Sequence, residues 1–130
     1  MRAREIKFRA WDRHGKTMTQ WADMLKVANF SAWFTGHLSA VILMQATGIT
    51  DVNGKEIYEG DILKTSFMKG MGEKGKAISC VIWNEHVGAW MISYVGGFGG
   101  AASDYIDRYE HEIIGNIAQN TNLLPEQKQN

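Results

Sequence analysis

Alternation of apolar and polar residues governs most of the chain. "EIKFRAW" sets Ile6, Phe8 and Ala10 against Lys7, Arg9 and Trp11, the two-residue period of a half-buried strand. "DRHGK" follows as a turn, with Gly15 as the residue suited to a positive φ. The period then lengthens. Met18, Trp21, Met24 or Leu25, and Ala28 recur at helical spacing and predict a short amphipathic helix. "NFSAWFTGH" reads as a loop or an irregular strand. "LSAVILMQATG" is rich in branched apolar residues between Gly36 and Gly48, which predicts a buried strand. "YEGDILKTSF" alternates Ile62, Lys64 and Ser66 with Leu63, Thr65 and Phe67, a strand partly buried on both faces. The clearest hairpin is "AISCVIWNEHVGAWMISYV": runs 77–83 and 89–95 flank the turn "NEHVG". A last strand is expected over 112–118. The glycine-rich segments 69–76 and 96–103 are expected to be mobile loops.

This succession of short strands with glycine punctuation predicts a mainly β protein, a small barrel or strongly bent sheet with an N-terminal strand and a short helix. A chain of 130 residues is long enough for one well-buried core. Residues 1–124 are expected to form a single domain, and 125–130 a polar tail that frays. Lys plus Arg number 14 and so do Asp plus Glu, a formal net charge of zero. That balance argues against a protein that lives on phosphate contacts, so any nucleic-acid binding is expected to be local and weak. The lone Cys80 cannot close an internal disulfide, in keeping with a reducing cytoplasm. The longest apolar run, 40–44, is too short to span a bilayer.

The densest stretch is "DVNGKEIYEGD", residues 51–61. Asn53-Gly54 predicts a two-residue hairpin turn with positive φ at both positions. Glu56, Glu59 and Asp61 could be read as working carboxylates, but Gly60-Asp61 also suits the opening of a strand. There the glycine permits a bend and the aspartate accepts backbone N–H bonds. The scaffold reading is preferred, and no catalytic residue is assigned. "GMGEKGK" lacks the Ser or Thr and the following helix that a phosphate loop needs. His14, His37, His86 and His111 lie far apart in sequence and are expected at surface or turn positions, so no metal or cofactor is expected. Cys80 reads as a small core residue.

Two features remain for a partner. Lys7, Arg9 and Trp11 would share a strand face, with Arg13 beyond. A basic face with an aromatic can hold phosphates and stack a base, whereas a charged edge strand guarded against aggregation is the plainer explanation. Trp83 and Trp90 flank the hairpin turn, either as a core pair or as an exposed aromatic patch, the core pair being preferred.

Three blocks, "IKFRAWD", "LMQATGITDVNGKEIYEGDILK" and "EIIGNIAQN", occur in an order that resembles the YopX-like family of small bacteriophage and prophage proteins. Ala46 and Ala118 stand where that family usually carries an aromatic. The resemblance implies a largely β protein with an SH3-like barrel in its C-terminal part, and a phage or prophage origin. It implies no activity. A noncatalytic protein-binding or assembly module, with an unidentified protein partner or a second copy, is the function expected first. A nucleic-acid accessory protein using the basic strand comes second, and an enzyme of unrecognised type last.

Overall fold

A computed structural model describes residues 5–27, 30–35, 40–69, 73–94, 99–101 and 110–124. The protein is mainly β, as the two-residue period predicts. It divides into two compact units, Met1–Ala46 and Thr47–Asn130, with the boundary inside one strand.

The first unit is built on β1 (Phe8–Asp12), β2 (Thr17–Thr19) and the leading part of β3 (Val41–Thr50). β1 lies between the other two: Ala10 pairs with both Thr19 and Leu43, and Trp11 with both Met18 and Ile42. The first strand is therefore flanked on both sides from Ala10 to Asp12, whereas Lys7 and Arg9, the basic residues of the edge-guard reading, lie ahead of that span. Asp12 Oδ1 accepts the N–H groups of His14 and Gly15, and Lys16 rather than Gly15 takes the left-handed φ, at 53°. The helical spacing yields one turn only, α1 (Trp21–Met24), whose Met24 is fully buried. "FSAW" at Phe30–Trp33 is a 3-10 turn, neither loop nor strand.

The second unit holds the end of β3, then β4 (Glu56–Tyr58), β5 (Asp61–Lys69), β6 (Glu73–Asn84), β7 (Ala89–Tyr94), β8 (Gly99–Ala101) and β9 (Glu110–Asn116). Five of these form an antiparallel sheet in the order β8-β7-β6-β5-β9. The pairing of β5 with β9 slips by one residue between Ile62 and Leu63, so β9 carries an extra residue at Ile114 and the sheet bends there. Ile57, Leu63, Val81 and Ile92 form the core, with Ile49, Trp90 and Ile113 packed against it. Ile62 and Leu63 face opposite ways and both are fully buried, so β5 is covered on both faces where it begins.

Glycine content misleads at two places. "EKGK" is not loop: Glu73–Lys76 opens β6 and pairs with Ser66–Lys69 of β5. Gly99–Ala101 likewise pairs with β7. Tertiary pairing overrode a weak local preference, and the remainder of both expected loops lies outside the described residues, as do 125–130.

Candidate functional site

The chemistry of "DVNGKEIYEGD" begins at Asp51, which is almost fully buried. Its Oδ1 accepts the N–H groups of Asn53 and Lys55, each at 2.9 Å, and its Oδ2 accepts that of Ile113 at 3.1 Å. One carboxylate thus ties its own turn to β9, and the Val52 N–H donating to the His111 carbonyl reinforces the tie at 2.8 Å. The turn is not the expected two-residue form. Gly54 alone has a left-handed φ, +79°, and its N–H donates to the Asp51 carbonyl while the Asp51 N–H donates to Lys55. This is the three-residue loop with a left-handed glycine, selected by the aspartate that closes it.

Gly60 and Asp61 occupy the next junction. Gly60 is buried with φ +83°; its N–H donates to the Val81 carbonyl and its own carbonyl accepts the Ile117 N–H. Asp61 is 1% exposed, and its Oδ2 accepts the Tyr58 N–H at 2.7 Å. Asp61 pairs across β9 with Asn116, whose Oδ1 accepts the N–H groups of Ala118 and Gln119. Asp51, Asp61 and Asn116 therefore all hold backbone N–H groups. Asp51 organises the turn after β3, while Asp61 and Asn116, register partners, organise the start of β5 and the end of β9.

Other polar residues are interior. His111, expected at the surface, is 2% exposed and shares a 2.7 Å hydrogen bond between its Nδ1 and Thr65 Oγ1, its register partner. The alternation within "EHEI" marked the inward position, but no sequence signal supplied its buried partner. Ser79 Oγ is buried on the same sheet with no partner. His14 and His86 are exposed and His37 lies outside the described residues. Cys80 is half-buried rather than core. Burial, then the negative charges of Asp61 and Glu59, push its thiol up to about 11. A thiol so placed is a poor nucleophile at neutral pH. Among the described residues, no three of His, Cys, Asp and Glu come together as a metal-ligand set.

The predicted basic face lies in the first unit. Arg9 Nε approaches Met44 Sδ at 3.3 Å, and Arg13 Nε donates to the Ala40 carbonyl at 3.3 Å. Lys7, Arg9 and Arg13 all have further interactions within the protein. Trp11 is only 9% exposed, so its ring offers little face for stacking a base. The opposite face of β1 carries a feature the sequence did not announce. Phe8, Trp21, Phe30 and Phe34 form a closed ring of contacts, with centroids 5.1–5.9 Å apart. Each ring comes from a different turn or strand or from opposite ends of one, and only folding brings them together.

The hairpin of β6 and β7 answers its own question both ways. Trp83 and Trp90 are register partners in edge-to-face contact, with centroids 4.9 Å apart and planes at 68°. Trp90 packs on the core, whereas Trp83 is 45% exposed. Ile82, facing the other way, is 41% exposed, and Val87 in the turn is 63% exposed. Asn84 Oδ1 stiffens that turn by accepting the N–H groups of His86 and Val87. The result is a braced strand end with apolar side chains on both faces.

The crystal structure of protein EF1440 from Enterococcus faecalis is similar over 95% of this chain and 100% of that one, with a TM-score of 0.63 and 22% identity. The crystal structure of YopX from Bacillus subtilis is similar over 92% of this chain and 98% of that one, with a TM-score of 0.59 and 20% identity. At such identities the likeness is one of fold. No curated protein matches the chain. The family model described as YopX protein matches residues 7–125, nearly the whole length, and the chain therefore belongs to the YopX family.

Proposed function

We propose that the protein is a noncatalytic protein-binding or assembly module of a phage, prophage or other mobile element, acting in the cytoplasm of the host cell. In this reading the second unit serves as an SH3-like barrel, and the hairpin end carrying Trp83 is its contact surface. The observation that supports it is the exposure of Ile82, Trp83 and Val87 on a hairpin held by paired strands. Exposed apolar residues grouped on a rigid element suit a protein interface, and tryptophan is a common anchor of such interfaces. Of the three carboxylates that invited a catalytic reading, Asp61 is meanwhile occupied with the Tyr58 N–H.

The test is affinity capture from cells carrying the parent element, with the native chain beside a Trp83→Ala, Val87→Asp double variant. Thermal melts must first show that the variant is folded. A specific protein held by the native chain and lost by the variant is the expected result. Equal capture by both would remove the hairpin end from consideration.

A further inference from the structure

The Asn53-Gly54 turn is closed by Asp51 through both its main-chain carbonyl and its carboxylate. Asn53 and Gly54 are both exposed, and nothing lies within 4 Å of where a Gly54 side chain would stand. An Asn followed by Gly lets the next main-chain nitrogen reach the side-chain amide with the least steric hindrance. Here that nitrogen is engaged: the Gly54 N–H donates to the Asp51 carbonyl at 3.0 Å. The neighbouring N–H groups of Asn53 and Lys55 are both held by Asp51 Oδ1. Attack requires this loop to open.

We infer that Asn53 is a site of spontaneous deamidation and isoaspartate formation, gated by the Asp51 clamp, and that conversion there loosens the tie between this turn and β9. The Gly54 nitrogen forms a bond to Asn53 Cγ and loses its proton. The Cγ–Nδ2 bond breaks and ammonia leaves with that proton. Solvent water then opens the cyclic imide. Attack at Cγ restores the normal chain with aspartate at 53. Attack at the main-chain carbonyl leaves Gly54 bonded through Cγ, an isoaspartyl link that adds one carbon to the backbone.

Either product places a carboxylate beside Asp51. The isoaspartyl product also displaces Lys55 from its bonds with Asp51, in a turn whose length sets the register of the strands it joins. Asp51 Oδ2, which holds the Ile113 N–H, is the other arm of the same carboxylate. The chemistry at 53 is thereby coupled to β9.

The experiment is incubation of the full chain in mildly alkaline buffer. Peptide mapping by mass spectrometry and enzymatic methylation specific for isoaspartate are the readouts. Asn53 should convert ahead of the other asparagines in the described strands and turns. Asp51→Ala should accelerate conversion about five- to thirty-fold, the rise in open population that follows loss of such a turn interaction. Asn53→Gln should abolish the signal at this position. A synthetic peptide covering 49–57 serves as the ungated reference if Asp51→Ala does not fold, and it should convert faster than the native chain. Intact Asn53 after other sites have converted, or a peptide that reacts no faster than the folded protein, would overturn the inference.

Discussion

At the residue scale, the buried acceptors are structural. Asp61→Ala strips the Tyr58 N–H of its acceptor at a position that is 1% exposed. The cost should be about 1–3 kcal/mol, the range for a lost cap or buried hydrogen bond. Gly60→Val should cost more, because a β-branched side chain at φ +83° is strained whatever the space around it. Chemical denaturation of the two variants checks both the values and their order. A fully stable Asp61→Ala that loses its captured partner would instead make Asp61 part of a binding surface. Cys80 gives a second expectation. Its thiol is raised from 9.0 to about 11, so the folded state holds the proton more tightly than the unfolded chain. The group's contribution to stability is complete below about pH 9 and is lost as the pH climbs toward 11. Alkylation of the folded protein should accordingly stay slow at neutral pH and quicken only in strong alkali. Rapid modification at neutral pH of a chain still folded by circular dichroism would contradict this placement.

At the element scale, the β6–β7 hairpin separates packing from presentation. Trp90 rests on the core and Trp83 stands half out, though they touch each other. Trp90→Ala should cost about 3 kcal/mol, at the lower end for removal of a packed aromatic. Trp83→Ala should cost about 1 kcal/mol, chiefly the edge-to-face pair. A double-mutant cycle measures that pair directly. Equal losses for the two tryptophans would mean that Trp83 is also a core residue. The hairpin itself was plain from its alternation, whereas the unequal burial of its two tryptophans was not. Register partners read identically in sequence; only tertiary packing sets Trp90 against the core and leaves Trp83 45% exposed.

At the scale of the whole molecule, a formal charge of zero leaves little long-range attraction for a polyanion. Binding to duplex DNA should be weak at low salt and disappear toward physiological salt, as fluorescence anisotropy would register. Tight binding that survived the added salt would restore Lys7, Arg9 and Arg13 as a working surface. The mainly β class and the order of most strands were legible in sequence, and Gly60-Asp61 was preferred there as scaffold, because side-chain period, branched apolar runs and turn chemistry act within a few residues. The three-residue loop at Asp51, the burial of His111 against Thr65, the four-ring cluster around Phe8 and the strand pairing of the glycine-rich "EKGK" were decided only by tertiary structure. Each depends on a partner remote in sequence or on a choice between local conformations of similar energy, and such choices are made by burial and by the need to satisfy every interior N–H and C=O.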